Sequence, residues 1–426
     1  MKSAKFKDSL LGPIPQDWEV KRLGDVWVRF STGPFGSALH ASDYVKDGTP
    51  VVNPMHILDG KIVPSTDMRI NDETLNRLSS YRLCKNDIIL GRRGEMGRAA
   101  LVTAKEDGWL CGTGSFSITL DSSVSPDYIA LYIRTPNCIT AMENGAIGTT
   151  IPNLNQVIVS NIPIALPPLP EQQRIAEALG EVDKLIESLD EQIEKKRLIA
   201  KGVAHDLLSG KKRLPGFKGA WREVAFKAAF ISLGNNTYAR ECLCGYSTNA
   251  YDIHYGDVLI RFGAVVDFSS DYIPRLKDGI KPNKDFLQNG DIVFADTAED
   301  EMVGKAVEVR GLGDGKAVSG LHTMACRPRA DMFAPRFLGY YLNSDSYRKQ
   351  LLPLITGSKV SSLSRANFES TILTMPDVIE QQAIADLLGE QDAAIAALEE
   401  KREKYARIKE GMMRDLLTGK VRMKGE

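Results

Sequence analysis

A basic, glycine-rich segment at residues 91–98 carries the side chains best suited to chemistry on a nucleic acid. It reads Gly-Arg-Arg-Gly-Glu-Met-Gly-Arg, with arginines at Arg92, Arg93 and Arg98. Glycine lets the backbone turn tightly, and a guanidinium on such a turn can meet a phosphate or the edge of guanine through two parallel hydrogen bonds. The ordinary alternative is a solvated hairpin tip. We expect at least one of the three arginines to contact DNA.

Two polar stretches, residues 148–156 and 357–365, form a second set of candidates. Both begin with glycine and carry small hydroxyl and amide side chains, which suit hydrogen bonds to phosphates and base edges. Ordinary loop and helix-capping chemistry remains the alternative for both. The candidate DNA-binding residues are Thr149, Thr150, Asn153 and Asn155 in the first stretch, and Ser358, Lys359, Ser361, Ser362 and Arg365 in the second.

An internal repeat of the chain aligns residues 295–301 with the basic segment, and these residues are acidic. Residues 295–301 read Ala-Asp-Thr-Ala-Glu-Asp-Glu. Carboxylates accept hydrogen bonds from cytosine but repel phosphate. We therefore expect a different role for this loop, and not that of a phosphate clamp.

The chain lacks the sequence motifs of the common enzyme classes. It contains no phosphate-binding loop of the Gly-x-x-x-x-Gly-Lys-Ser/Thr type, and no Gly-x-Gly-x-x-Gly after a strand. Cys242 and Cys244 have no second Cys or His pair at the spacing of a zinc site. The five histidines show no pairing suited to acid–base or nucleophilic work. These features predict a chain without a catalytic centre, bound metal or cofactor of its own.

Two long helices must position these candidates. Residues 171–213 and 380–422 align without a gap at an offset of 209, and 22 of the 43 positions are identical. Apolar residues recur every three or four positions in both copies, which is typical of an amphipathic helix with one buried stripe. About 39 residues at roughly 1.5 Å each make a rod of about 58 Å. A stripe of that length needs a partner, so we expect the two helices to pair like a coiled coil.

Proline and glycine mark the ends and the interior of these helices. Pro170 suits a first turn, and Gly210 and Gly419 suit the left-handed position after a last turn. Both copies also carry interior glycines, at Gly180/Gly389 and Gly202/Gly411. Because glycine costs about 1 kcal/mol in a helix interior, the repetition suggests close backbone approach or a bend. Tolerated relics of a duplication are the alternative.

The 209-residue offset extends upstream into two globular blocks of some 160 residues. Short apolar runs at residues 87–91, 256–260 and 290–294 predict strands, and residues 127–135 predict a helix. The blocks are therefore expected to be α+β. The sequences of the two helices stayed alike while those of the two blocks diverged. We therefore expect two blocks of similar fold to recognise two different targets.

Composition limits the remaining choices. The chain has 426 residues, 43% of them apolar and 26% charged, with a formal net charge of −1 and six scattered cysteines. This length suggests about three domains. The absence of a long apolar run or signal peptide, together with the scattered thiols, favours a cytoplasmic protein with no membrane segment. A net charge near zero argues against a protein that binds DNA by itself, because phosphate contacts supply most of the affinity of such proteins. It remains compatible with a protein whose partner supplies part of the DNA affinity.

The order of block, helix, block and helix resembles the DNA specificity subunit of type I restriction-modification systems over the whole length. The most specific elements are residues 167–176 (Pro-Pro-Leu-Pro-Glu-Gln-Gln-Arg-Ile-Ala) and residues 206–211 (Asp-Leu-Leu-Ser-Gly-Lys). They recur at residues 375–385 and 415–420. The second copy departs from the first at residues 376–379, which read Pro-Asp-Val-Ile, so its local entry into the helix is left open.

The resemblance implies an α+β fold with an internal pseudo-two-fold repeat. Two similar target recognition domains, residues 1–166 and 214–374, would be separated by two long antiparallel spacer helices, residues 167–213 and 375–426, the latter with a C-terminal tail. Each domain would read one half of a bipartite, asymmetric DNA site. The helices would fix the gap between the half-sites.

The resemblance also implies partners. They are double-stranded DNA, two methyltransferase subunits docked on the helices and domains, and restriction subunits joined through that methyltransferase core. Adenine methylation, ATP hydrolysis and cleavage would belong to these partners, together with S-adenosylmethionine, ATP and Mg²⁺. The chain itself would be non-catalytic.

Three other functions stay open at the level of sequence. The nearest is the specificity subunit of a methylation-only system, or of a type II-like system that fuses restriction and methylation. A catalytic nuclease or methyltransferase fused to a recognition block is another, and methyl transfer by the isolated chain would favour it. The third is a scaffold that pairs two protein ligands through its helices. Salt-dependent binding to a bipartite duplex would argue against that one.

Overall fold

The computed structural model describes residues 5–35, 37–147, 153–282, 285–329, 331–357 and 359–424. The chain divides into two compact units. Unit 1 comprises residues 1–190 and 401–426, and unit 2 comprises residues 191–400.

Unit 1 is built on two small sheets. In the first, the order is Ala99–Leu101, Ile88–Gly91, Ser115–Leu120 and Trp27–Thr32, and all neighbours are antiparallel. The buried run of Ile88–Gly91 makes it a central strand. The remaining strands are Phe6–Lys7, Ile14–Pro15, Glu19–Arg22, Tyr44–Val45, Thr49–Val52, Ile57–Leu58, Lys61–Ile62, Arg69–Ile70, Leu110–Cys111 and Pro163–Leu166.

The second sheet of unit 1 contains a parallel pair, Thr49–Val52 with Leu110–Cys111. Short helices cover the sheets, and proline lies at the first turn of Pro126–Ile133 and Pro136–Gly145, where its missing N–H costs nothing. The helices of unit 1 before the first long one are Leu23–Val26, Ala41–Asp43, Pro54–His56, Asp72–Arg77, Ser79–Tyr81, Pro126–Ile133, Pro136–Gly145 and Gln156–Ser160.

Unit 2 has a five-stranded sheet in the order Phe230–Leu233, Thr323–Pro328, Ile292–Ala295, Ala306–Arg310 and Val265–Asp267. Only the last pair is parallel. The other strands are Arg222–Ala225, Leu243–Cys244, Tyr251–Ile253, Arg275–Leu276, Thr297–Ala298, Ala317–Ser319, Ser361–Ser362 and Ile372–Met375. The helices before the second long one are Phe226–Ala229, Arg240–Cys242, Tyr255–Ile260, Phe337–Tyr341, Asp345–Leu351, Leu352–Leu354 and Arg365–Glu369.

One predicted strand is wrong. Residues 256–260 form the helix Tyr255–Ile260, whose first turn is capped by the His254 side chain accepting from the Gly256 N–H. The helix brings Asp257 within reach of Arg261, one turn later, and Arg240 also pairs with the same buried carboxylate. An apolar run of five residues is too short for periodicity to distinguish strand from helix. The ion pair of Asp257 with the distant Arg240 forms together with the helix.

The two long helices are present. They span Leu169–Leu208 and Val378–Leu416. Their stripes enter the unit cores, with Ile175 and Leu179 beside Leu416 in unit 1. The predicted α+β content with long helices is therefore confirmed. Neither of these helices, nor any other in the described residues, has a stretch apolar enough to cross a membrane.

Within each unit, segments of both helices are joined by ion pairs. In unit 1, Lys409 Nζ lies 2.5 Å from Asp183 Oδ1, and Arg402 Nε lies 3.0 Å from Asp190 Oδ1. The paired numbers run in opposite directions, so these segments are antiparallel. In unit 2, Arg197 bridges to Glu399.

The interior glycines do not mark close backbone approach. A Cβ added to Gly180 or Gly202 would meet no described atom within 4 Å, and one on Gly411 would reach only the end of the Arg414 side chain. At Gly389 the nearest atoms are again side-chain tips. The expectation of close packing at these positions is wrong, because the helix faces that carry them are open.

A buried ion pair ties the start of the first long helix to the end of unit 1. Glu171, which is 2% exposed, accepts hydrogen bonds from the Arg422 guanidinium at 2.7 and 2.6 Å, and from the Met423 N–H at 3.1 Å. Arg422 also pairs with Asp17 and lies over the Trp18 ring at 5.7 Å. We call Glu171, Arg422 and Trp18 the unit 1 clamp.

Unit 2 contains the same arrangement. Its residues lie 209 positions, or close to 209 positions, from their counterparts in unit 1. Arg213 donates to both oxygens of Glu380, which is fully buried, and lies over the Trp221 ring at 5.7 Å. We call Arg213, Glu380 and Trp221 the unit 2 clamp. Gly210 and Gly419, both at φ 72°, lie just past the helix ends and let the chain turn toward the clamps, which confirms the predicted C-caps.

A buried glutamine beside each clamp joins the helix to its block. Gln172 accepts from the Ser125 N–H and donates to the Pro167 carbonyl, both at 2.9 Å. Gln381 does the same for the Ala334 N–H and the Pro376 carbonyl, both at 3.0 Å. Each glutamine therefore satisfies two backbone groups that would otherwise be buried without partners.

Candidate nucleic-acid interface

The basic segment of unit 1 begins where the central strand Ile88–Gly91 ends. The Arg92 N–H donates to the Gly114 carbonyl, and its carbonyl accepts from the Leu154 N–H, both at 2.9 Å. The basic segment is thus joined directly to the polar stretch before the first long helix. The two sets of candidates, far apart in sequence, lie together in unit 1.

The Arg92 side chain is buried without a carboxylate. It is 9% exposed, its Nε donates to Asn153 Oδ1 at 3.2 Å, and its guanidinium lies near the Phe35 and Phe116 rings, at 5.9 and 5.7 Å. Burial, and then the neighbouring charge of Arg93, lower the pKa of Arg92 from its usual value. Among the described residues no acid forms an ion pair with it. A buried cation without a counter-charge is costly, and an incoming anion or carbonyl would relieve that cost.

Arg93 and Arg98 differ in how far they are already engaged. Arg93 is exposed, pairs through its backbone with Asn153, and makes no ion pair within the described part of the chain. Arg98 donates to Glu95 Oε2 at 3.0 and 2.7 Å and to the Pro54 carbonyl at 3.2 Å. Arg93 therefore has free donors, whereas those of Arg98 are largely used inside unit 1.

The polar stretch of unit 1 is partly described. Asn153 exchanges backbone hydrogen bonds with Ile147, both at 3.1 Å. The Asn155 side chain accepts from the Ile158 N–H at 2.9 Å and so caps the helix Gln156–Ser160. Capping occupies Asn155, which is the ordinary alternative for that residue. The candidates Thr149 and Thr150 lie outside the described residues.

The polar stretch of unit 2 has the same backbone pattern. Ser362 exchanges hydrogen bonds with Thr356 at 3.1 and 2.8 Å, as Asn153 does with Ile147. Ser361 and Ser362 pair as a short strand with Thr297–Ala298. Lys359 is exposed and forms no ion pair among the described residues. The candidate Ser358 is outside the described residues.

Arg365 is anchored to the sheet of unit 2. Its Nη2 donates to the Leu233 carbonyl at 3.1 Å, at the end of the strand Phe230–Leu233. It opens the helix Arg365–Glu369, which Ser364 caps together with Asn367. Arg365 is exposed and forms no ion pair among the described residues.

Two further residues lie beside the candidates. The Phe35 ring is 62% exposed, and its centroid lies 5.9 Å from the Arg92 guanidinium. His322 belongs to the junction of unit 2, where its carbonyl accepts from the Asp296 N–H at 3.1 Å. Its counterpart is Gly114, so no similarity of side chains could have revealed it. Only the shared backbone pattern does so.

No three His, Cys, Asp or Glu side chains come together as metal ligands in the part of the chain that the structure describes. The six cysteines are free thiols. Burial raises the pKa of Cys111 to about 12, so that thiol is not a nucleophile.

Comparison with known proteins links this arrangement to a family. Residues 15–196 match the family model of the type I restriction modification DNA specificity domain. The type I restriction enzyme MjaVIII specificity subunit of Methanocaldococcus jannaschii is 25% identical over 438 residues, which cover 99% of this chain and 97% of that protein.

Solved structures share the fold. A chain from work on complex assembly and conformational transition of the type I R-M system superimposes with a TM-score of 0.58 at 18% identity, covering 96% of this chain and 99% of that one. The S subunit of the type I restriction-modification system from M. genitalium gives a TM-score of 0.56 at 15% identity, covering 94% and 96%. The chain is therefore similar over residues 15–196 to the type I restriction modification DNA specificity domain, and over nearly its whole length to a type I restriction enzyme specificity subunit.

Proposed function

We propose that the chain is the non-catalytic, sequence-reading subunit of a type I restriction-modification complex. Units 1 and 2 each read one half of a bipartite, asymmetric DNA site. The long helices set the spacing of the half-sites and hold two methyltransferase subunits. The proposal includes a cytoplasmic location, because the DNA to be read lies there.

The observation that carries the proposal is one backbone junction built twice with different side chains. In unit 1, the residue after the central strand bonds to Gly114 and Leu154, and in unit 2 it bonds to His322 and Leu363. The frame is the same, but Arg92 occupies the position in unit 1 and Asp296 occupies it in unit 2. Two equivalent backbone junctions that carry different side chains suit the recognition of two different half-sites.

Arg92 and Arg93 are the proposed base or phosphate contacts of unit 1. Arg92 is a cation held by Asn153 and two aromatic rings without a carboxylate, and Arg93 presents free donors beside it. Arginine reads guanine O6 and N7, or a phosphate, through two hydrogen bonds. The proposed set also includes Arg98, Thr149, Thr150 and Asn155. Arg98 and Asn155 have a lesser role, because their side chains already form hydrogen bonds within unit 1.

In unit 2 the proposed contacts surround the short strand Ser361–Ser362. Lys359 and Arg365 supply positive charge for the DNA backbone, and the hydroxyl groups supply neutral hydrogen bonds. Ser358 completes the proposed set.

The domain organisation is also part of the proposal. Residues 1–166 and 214–374 are two diverged copies of one recognition domain, and residues 167–213 and 375–426 are the spacer copies with the C-terminal tail. The equivalent clamps and buried glutamines support this, because unrelated segments would have no reason to share them. Readers on one face of B-DNA need a separation of about 34–36 Å or a multiple of it. A helix of 40 residues is about 60 Å long and so is sufficient for such a spacer.

The partners in the proposal follow from charge and chemistry. A net charge of −1 leaves the chain without the cationic surplus of an autonomous DNA binder, so the methyltransferase subunits supply part of the grip. They also bind S-adenosylmethionine and transfer methyl groups to adenine. Restriction subunits with ATP and Mg²⁺ join through that core.

The test is to co-express the chain with the methyltransferase encoded beside it and to map methylated adenines by long-read sequencing. We expect one split, asymmetric motif. Exchange of residues 214–374 for the block of another family member should alter one half only. A change in both halves, or in neither, would contradict the modular reading. The isolated chain should transfer no methyl group, and encoded neighbours decide whether restriction accompanies methylation.

Point variants test the contacts in unit 1. Arg93→Gln should relax one position of one half-site, at a cost of about 1–3 kcal/mol for the correct base. Arg98→Gln is the comparison variant and should have a smaller effect, since the donors of Arg98 are already bound to Glu95 and Pro54. In unit 2, Lys359→Gln should weaken binding equally on all sequences and lower the salt slope by about 1. Equal effects of the two arginine variants would contradict the assignment of Arg93.

A further inference from the structure

Asp296 occupies in unit 2 the place that Arg92 occupies in unit 1. Its N–H donates to the His322 carbonyl at 3.1 Å, and its carbonyl accepts from the Leu363 N–H at 2.9 Å. The neighbouring Thr297 pairs with Ser362, as Arg93 pairs with Asn153. A side chain carried by this junction therefore leaves it at the same point of the frame in both units.

The Asp296 carboxylate is positioned but only half satisfied. Thr297 Oγ1 donates to Asp296 Oδ1 at 2.8 Å, and His322 Nδ1 lies 3.4 Å from Thr297 Oγ1 and 3.9 Å from Asp296 Oδ1. Among the described residues no donor is bound to Oδ2. The side chain is 30% exposed, so this oxygen remains an available acceptor at the tip of the junction.

His322 is held in an unfavourable backbone conformation. Its φ is 51°, in the left-handed region, whereas Gly114, the equivalent residue of unit 1, is not in that region. A non-glycine residue there costs on the order of 1 kcal/mol or more, and such strain is concentrated at ligand-binding sites. The Tyr255 ring packs edge-on against the imidazole at 5.3 Å and fixes it beside Asp296. The imidazole is half exposed, so it is not kept for core packing.

These observations indicate a site that accepts a hydrogen bond from a donor on the DNA. We propose that Asp296, positioned by Thr297 and His322, accepts a hydrogen bond from the exocyclic amino group of a cytosine in the major groove. The half-site read by unit 2 then contains a cytosine at the position where Asp296 lies. The inference rests on the proposed function and deepens it, because it assigns a base to one residue.

The chemistry excludes the main competing contacts. A carboxylate repels phosphate, so Asp296 cannot serve as a backbone contact. Guanine presents only acceptors in the major groove, and thymine presents an acceptor and a methyl group. Adenine has an amino group but also the N7 acceptor beside it, which a carboxylate cannot satisfy and an amide can. Cytosine offers the amino group alone.

The experiment uses the complex of the full chain with its methyltransferase subunits. The methylation motif and the rate on each single-base variant of the site are measured for the native chain, Asp296→Asn and Glu299→Gln. Glu299 is an exposed acid on the same loop and controls for loss of charge. Asp296→Asn should lower preference for cytosine at one position by roughly tenfold or more and shift it toward adenine. The control should leave the motif and the rates unchanged.

A second variant distinguishes reading from folding. His322→Gly introduces the residue that unit 1 has and removes the strain, so thermal stability should be kept or raised. Discrimination at the same base position should nevertheless fall, because the Asp296 and Thr297 side chains lose their imidazole neighbour. A residue with a merely structural role would not lower discrimination while raising stability.

Three results would overturn the inference. A native motif without cytosine in the half altered by Asp296→Asn would do so, as would equal behaviour of Asp296→Asn and Glu299→Gln on an intact bipartite motif. In both cases the proposed function would stand. Absence of any bipartite motif for the native complex would overturn the inference and the proposed function together.

Discussion

Units 1 and 2 hold their candidate loops with the same backbone contacts, and the loops carry different side chains. In each, a buried Glu–Arg pair under a tryptophan closes the unit, and a buried glutamine joins the long helix to the block. The tips differ in charge, with Arg92 and Arg93 in unit 1 and Asp296 and Thr297 in unit 2. The difference teaches that the backbone contacts are kept while the charge of the side chains that they position changes, as the proposed function requires.

The clamps are alike in residue type but not in how completely the glutamate is satisfied. Glu171 accepts from Arg422 and also from the Met423 N–H and the Trp18 Nε1–H. For Glu380 the structure gives one donor side chain, Arg213, and the Trp221 Nε1–H is buried without a partner. Unit 2 therefore depends more heavily on a single arginine.

The largest expected effect is loss of that arginine. Arg213→Ala should destabilise unit 2 by about 3–5 kcal/mol, because it leaves the fully buried Glu380 carboxylate uncompensated. Arg422→Ala should cost unit 1 less, since Glu171 keeps two other donors. Hydrogen exchange resolved by unit, during denaturant titration, measures both losses. Equal losses would mean that the two clamps are equivalent after all.

The buried glutamines should behave identically in the two units. Gln172→Ala and Gln381→Ala each leave one N–H and the carbonyl of Pro167 or Pro376 buried without a partner, at a cost of about 2–4 kcal/mol. Gln381 also donates to the Met332 carbonyl at 3.3 Å, but that carbonyl keeps a second donor in Arg222. Gln173→Ala is the control, because Gln173 is exposed. Chemical denaturation of each variant gives the free energies of unfolding. A difference between the two glutamines well above 1 kcal/mol would contradict the shared frame.

A loss of stability with rising pH that is caused by a buried aspartate should appear in unit 2. Burial raises the pKa of Asp252 to about 7, and its Oδ1 has no partner, whereas the strand position that corresponds to it in unit 1 is Val51. The folded chain holds this proton more tightly than the unfolded chain, so the stabilisation is complete at low pH and is lost as the pH rises from about 4 to 7.

Between pH 5 and 7.5, unit 2 should lose on the order of 2–3 kcal/mol that the Asp252→Asn variant does not lose. Denaturant titrations of both chains across this range measure the difference. Parallel pH profiles for the two chains would show that Asp252 is not protonated in the folded state.

The smallest effects are expected on the long helices. Arg402→Ala in unit 1 and Arg197→Ala in unit 2 remove exposed ion pairs and should each lower the stability only slightly, with the loss falling further in salt. Lys409→Ala removes a more buried pair with Asp183 and should cost more than either. Thermal melts at low and high salt give these values. A large loss for Arg197→Ala alone would show that the helix segments differ in the two units.

Much of the scaffold could be predicted because its signals are local. The three- and four-residue spacing of apolar side chains predicts both long helices, and Gly210 and Gly419 predict where they end. Residues 256–260 were predicted wrongly as a strand, because a short apolar run has no decisive period. The basic segment and the polar stretch were each found as candidates, but nothing in the sequence showed that Leu154 would bond to Arg92.

The sequence by itself determined the repeated helices, the polar and charged character of the candidate segments, and the family resemblance, because these depend on residue types at short or constant spacing. Tertiary structure alone decided which glutamate each clamp arginine meets, that Arg92 is buried without a carboxylate, and that Asp296 and His322 share a junction. Those outcomes depend on which segments, distant in the chain, are brought together and shielded from water, and no local pattern encodes that.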